Sequence, residues 1–124
     1  MATPPSGVTA ENLFHASFPI GLGSTELEGT DFTVRRIEIE PGGTTGWHYH
    51  DGPVYAYVET GTLTRVLHDC SVETTGPGGL VEEDVGSDRP HEGVNGGPGA
   101  LVLLAAYVEP PGDPFAEDAP DPGC

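Results

Sequence analysis

The apolar residues of this chain fall in short alternating runs, each closed by glycine or proline. Val54 to Thr60 is the clearest of them. Val54, Ala56 and Val58 share one face, and Tyr55, Tyr57 and Glu59 the other, which is the period-two signature of a half-buried strand. Gly61 ends it, and Thr62 to Asp69 reads as the returning arm of a hairpin. Phe32 to Glu40 is a second strand, closed by the turn Pro41-Gly42-Gly43. Thr44 to His50 is extended, with Trp47 and Tyr49 on one face and His48 and His50 on the other, until Asp51-Gly52-Pro53 breaks it. Leu80 to Val85 is a short acidic strand, and His91 to Asn95 pairs again after the loop Gly86 to Pro90. Ala100 to Val108 is apolar on both faces. Glycines before it and Pro110-Pro111 after it leave room only for a strand, one covered on both sides. Leu13 to Phe18 alternates weakly, as an edge strand does.

Seven or eight short strands with glycine and proline turns predict an all-β sandwich or barrel. It is expected over residues 13–108. Residues 1–12, polar and proline-bearing, read as a loose arm. Residues 109–124, rich in proline and acid, read as a tail unable to fold alone. Composition agrees: 124 residues allow one core, and 19 glycines and 13 prolines supply the turns.

Charge narrows the partners. Twenty acidic residues stand against four arginines and no lysine, a formal net charge of -16. Such a chain has little with which to displace counterions from phosphates, so nucleic acid is excluded as a partner. An anionic membrane surface repels it for the same reason. The N-terminus carries neither a basic region nor an apolar run, and no stretch is long enough to span a bilayer, so the cytoplasm is expected. Cys70 sits in a turn and Cys124 is the last residue. They are expected as free thiols rather than as a bonded pair.

The candidate chemistry lies in the histidines. His48 and His50 are two apart on an extended segment, so both rings point to one face. Imidazole is the commonest side-chain metal ligand, and a His-x-His pair aims two at one ion. The spacing alone leaves packing or solvation of the two rings open. His91, following a loop, adds a third. The sequence here resembles the cupin superfamily. Gly42, five residues, His48-Tyr49-His50, three residues, Val54, six residues and Gly61 fit the spacing of the first cupin motif, and His91, three residues and Asn95 fit the end of the second. Gly86-Ser87-Asp88 stands where the second motif has Pro-x-Gly.

The resemblance covers about Phe32 to Val108. It implies a double-stranded β-helix, or jelly-roll barrel, with a metal in its mouth. It assigns His48, His50 and His91 as ligands of one divalent transition ion (Fe, Zn, Ni, Cu or Mn) and Asn95 as structural. It implies a metal-dependent enzyme, of dioxygenase, isomerase or cyclase type, acting on a small organic molecule. The other reading is a non-catalytic module holding a small ligand or metal. A homodimer through the outer strands is also implied.

The family's glutamate is absent, because Val54 occupies its slot and Tyr55 follows. Three readings of this departure stand. The ion is held by three histidines and keeps its full charge, an arrangement resembled by the thiol dioxygenases and a diketone-cleaving dioxygenase among cupins. Or Tyr55, Asp51, Glu82 or Glu83 supplies the anion. Or the histidines line a pocket without metal. Trp47 and Tyr55 are candidate pocket walls, and Arg65 and Arg89 candidate partners for a substrate carboxylate. Packing and ion pairing are the alternative roles for these four. His15 and His68 match neither motif and read as surface or packing residues, with His15 also a distant candidate for pocket acid–base work.

Overall fold

A computed structural model describes residues 4–19 and 29–124. The described residues form ten strands and no helix: β1 (Ser6–Phe18), β2 (Thr30–Thr44), β3 (His48–Tyr49), β4 (Val54–Thr60), β5 (Leu63–Val66), β6 (Val72–Thr75), β7 (Leu80–Glu83), β8 (Glu92–Val94), β9 (Leu101–Glu109) and β10 (Glu117–Asp118). Seven run in the order β6-β5-β8-β2-β9-β4-β7, with β1 added on β2. The short β3 pairs with β10 and is bridged on one side to His91 and on the other to Val85. Those two bridges tie the β7 end of the sheet to the start of β8, giving a nearly closed barrel of antiparallel strands, of jelly-roll type.

Alternation decides what fills the barrel. Val54, Ala56 and Val58 of β4 point inward, while Tyr55 and Tyr57 point out. Ala56 and Val58 share a core with Ile39, Leu63, Val81, Leu101 and Leu103, and Val54 packs with Ala105 and Tyr107 in a second cluster. β9 pairs with β2 on one side and β4 on the other, as its unbroken apolar run predicts. Gly61 takes a φ of 84° at the β4–β5 turn, a left-handed conformation open to glycine at no steric cost. Gly52 lies so close to the Val108 carbonyl that a Cβ would collide with it, which seats the break after β3 directly on the end of β9.

Three sequence expectations are corrected. Residues 6–12 are not a loose arm, because β1 starts at Ser6 and pairs with β2 from Thr44 to Thr30. β1 is exposed on both faces along most of its length, so backbone pairing holds it, and no apolar period announces its first half, before the weak alternation of Leu13 to Phe18. The segment after Glu109 is docked: β10 pairs with β3, Ala119 N–H donates to the Trp47 carbonyl (3.0 Å), and the Phe115 ring packs on Tyr107 at 4.9 Å between centroids. Cys70 and Cys124 are joined by a disulfide rather than free. Among the described residues no helix is long and apolar enough to cross a membrane.

Candidate metal centre

The first motif delivers its histidines from β3 and the residue after it. His48 and His50 face inward beside His91, which precedes β8 and exchanges two backbone hydrogen bonds with His48 (2.9 and 3.0 Å). The three rings lie with centroids 4.6–5.0 Å apart. His50 and His91 are 3% and 1% exposed, and His48 is 9%.

Each ring is oriented by the backbone. Nδ1 of His48 lies 2.8 Å from the Gly46 carbonyl oxygen, Nδ1 of His50 lies 2.8 Å from that of Phe115, and Nδ1 of His91 lies 3.2 Å from that of Arg89. A carbonyl only accepts, so all three Nδ1 atoms donate. That leaves the three Nε2 atoms to face one another, the tautomer that metal-binding imidazoles need.

A carboxylate completes the group. Glu83 Oε2 lies 2.6 Å from His50 Nε2 and 3.3 Å from His91 Nε2. The donor atoms of His48, His50, Glu83 and His91 all lie within 4.8 Å of one another. Glu83 ends β7, and its register partner on β4 is Val54. Cross-strand partners present their side chains on one face of the sheet. The anion missing at Val54 is thus supplied from the adjoining strand, which is the second of the three sequence readings. The rings stand beside a full anion, and a three-histidine group without a carboxylate is not what the fold assembles.

The electrostatics follow from that anion. Burial pushes the His48 imidazole down to about 4, with the charges of His91 and His50 acting the same way. For His91, burial lowers the value, but the hydrogen bond and charge of Glu83 outweigh it and the net direction is up. Burial raises Glu83, yet the hydrogen bonds from His50 and His91 overcome it and hold the carboxyl well below the usual range. Both nitrogens of His50 face acceptors, so a proton or a metal ion must lie between Nε2 and Glu83. Three imidazoles and one carboxylate fit an ion such as Zn, Fe, Ni, Cu or Mn.

A cavity of about 100 Å³ opens from this centre into the barrel. His48, His50 and Glu83 form its polar end; Val54, Ala56, Leu103 and Ala105 are among its apolar walls. Tyr107, Phe115 and Arg35 also line it, with the Arg35 guanidinium 4.2 Å above the Phe115 ring. Of the four pocket candidates from sequence, none lines this cavity. Tyr55 faces outward and is 37% exposed, and Trp47 is buried in the core, 3% exposed. Arg65 is buried and pairs with Glu73 (2.7 Å). Arg89 is exposed and borders a shallow depression with Glu82, Glu83, Asp84 and Val85. His15 hydrogen-bonds Thr33 at 2.8 Å, and His68 approaches Asp84 at 3.9 Å. Asn95 is structural: Nδ2 donates to the carbonyls of Ile39 and Gly99 and Oδ1 accepts from Gly97 N–H.

The spacing of both motifs meets a three-histidine group inside an antiparallel barrel, and a Cupin domain model matches residues 35–107, more than half of the chain. The chain belongs to the cupin family. Among solved structures this cupin is similar to a cupin-2 domain from Rhodospirillum rubrum, with 19% identity, TM-score 0.69, and 96% of this chain and 70% of that one covered. It is similar to a cupin-like protein from Thermotoga maritima, at 21% identity and TM-score 0.69, covering 94% and 80%. The polyketide cyclase RemF from Streptomyces resistomycificus matches at 22% identity and TM-score 0.63, covering 96% and 78%. At these identities the likeness is one of fold. No curated protein matches the chain at a significant level.

Arg35, Tyr107 and Phe115 were not singled out in the sequence. Phe115 lies in what reads as a tail, and Arg35 and Tyr107 lie in strands without a motif. One signal for Glu83 was present, since it shares parity with the apolar Val81 and so points inward.

Proposed function

We propose that this cupin is a metal-dependent enzyme that holds one divalent transition ion on His48, His50, His91 and Glu83 and acts on a small organic molecule in the adjoining cavity. The observation that carries the reading is the set of three Nδ1 donors tied to backbone carbonyls, with the Nε2 atoms converging on a carboxylate. When bound, such an ion supplies Lewis-acid polarisation of a substrate oxygen or activation of water or dioxygen. Cyclisation, isomerisation and dioxygenation lie within that range, and the fold does not choose among them.

The chain's own residues do the rest. Glu83 offsets one of the ion's two charges. The apolar walls exclude water from the reacting end. Arg35 gives the cavity a cationic wall for an acidic group of the substrate. A cavity of about 100 Å³ takes only part of a substrate, below the range of roughly 300–1,000 Å³ usual for ligand pockets. That smallness favours a second reading, a binding module for the metal or for a very small ligand. Among the described residues β1 pairs with β2 alone, and with Leu13 and Phe14 exposed that edge supports a homodimer through the strand.

The test is elemental analysis of purified protein, followed by oxygen uptake and product analysis on candidate substrates. A near-stoichiometric transition metal, lost in His91→Ala together with turnover, is the expected result. Protein that stays metal-free after reconstitution with Fe, Zn, Ni, Cu and Mn overturns the enzyme reading and the metal-holding form of the second, leaving only a module for a very small ligand. Bound metal without any turnover favours the binding module.

A further inference from the structure

A second group of ionisable side chains gathers where the C-terminal segment meets the barrel. Asp51 stands in the turn after β3, Glu109 at the end of β9, Asp113 in the turn that follows, and Glu117 at the start of β10. The carboxyl group of Asp51 lies within hydrogen-bonding reach of those of both Asp113 and Glu117. Carboxylates so placed repel unless a proton or a cation lies between them.

Glu109 stands behind them. It is 2% exposed, and neither of its carboxyl oxygens has a hydrogen-bond partner. It lies within the field of the Asp113, Asp51 and Glu117 charges. Asp113 Oδ2 is likewise buried without a partner. No lysine exists in the chain, and among the described residues no arginine pairs with any of the four; the arginine ion pairs are Arg36–Glu38 and Arg65–Glu73. A buried carboxylate with no donor is among the costliest arrangements a fold can hold.

The donors here are all oxygen, and anionic. That set suits a hard cation that takes six to eight oxygens, and suits poorly the softer ions of a nitrogen-rich centre. Among the described residues no three of these acids bring ligand oxygens within 4.8 Å of one another, so a cation here reaches part of the set through water. We propose that Asp51, Glu109, Asp113 and Glu117 form a site for a hard divalent cation of the calcium type, which fastens the C-terminal segment to the barrel. The segment so held carries Phe115, whose ring walls the cavity and whose carbonyl orients His50. The cation therefore steadies a ligand of the transition-metal centre without touching it.

The test uses the full, disulfide-bonded chain after chelator treatment, with calcium chloride titrated by calorimetry and thermal unfolding followed in parallel. Sodium chloride at matched ionic strength is the control for screening. One calcium per chain and a saturable rise in Tm beyond the control are expected. Glu109→Gln and Asp113→Asn weaken calcium binding by about tenfold or more, while His91→Ala retains it. A Tm of Glu109→Gln at or above wild type in chelator shows that this variant folds. Equal Tm in calcium and sodium chloride overturns the proposal. So does a calcium effect that disappears in His91→Ala and survives in both acid variants, because the ion is then at the histidine centre.

Discussion

Glu109 shows how one residue sets a pH dependence. Burial, then the charges of Asp113, Asp51 and Glu117, push its carboxyl up to about 8. The unfolded value is near 4.3, so the folded state holds a proton that the unfolded state releases. The stability this contributes is present below the unfolded pKa and is lost as pH rises towards about 8. His48 acts in the opposite direction, since its depressed value removes stability as pH falls from about 6.5 to about 4. The difference between wild type and Glu109→Gln isolates the first effect. In chelator, thermal unfolding across the two windows should show wild type losing stability relative to the variant as pH rises from 5 to 8. Parallel curves would refute this account of Glu109. Asn95 is a second residue with a clear cost. Its side chain is fully buried and makes three backbone hydrogen bonds, so Asn95→Ala should cost about 3 kcal/mol in denaturant unfolding, with metal binding retained in the fraction that folds.

At the scale of elements, β4 and β9 were legible because burial imposes a period on them. Val54, Ala56 and Val58 alternate, and Leu101 to Val108 is covered on both sides. Of β1 only Leu13 to Phe18 was legible, as an edge strand; its first half and β10 were not, since both are largely polar and are held by backbone pairing to β2 and β3. The three histidines were legible from motif spacing. The place of Glu83 was only one option among several, because the register of β7 on β4 joins residues 29 apart in sequence and no local pattern encodes it. That register makes a prediction. In a Glu83→Gln chain, adding Val54→Glu moves the carboxylate across the strand pair to the family's own slot. Competition with a chelator should show zinc affinity recovered well above that of Glu83→Gln alone and close to wild type. No recovery would mean that the face shared by Val54 and Glu83 is not the ligand face.

For the molecule as a whole, the C-terminal segment changes from appendage to wall. Phe115 closes the cavity, β10 braces β3, and the Cys70–Cys124 bond anchors the end of the chain. The sequence pattern hid this, because a segment of prolines and acids has no core of its own and docks only on a barrel already built. The disulfide closes a loop of 54 residues, worth about 4 kcal/mol by chain entropy. Cys70→Ser should lower stability by that order in denaturant unfolding. Because the segment supplies the carbonyl that orients His50, it should also weaken zinc binding. An unchanged unfolding midpoint would show that the bond does not constrain the chain in solution.

The central claim is that Glu83 completes a three-histidine metal centre. Calorimetric titration of zinc into metal-free protein, with wild type beside Glu83→Gln, tests it most directly. The account predicts one zinc per chain in wild type and affinity lower by about tenfold or more in Glu83→Gln. A wild-type chain that takes up no zinc, or a Glu83→Gln chain that binds it as tightly as wild type, would contradict the claim.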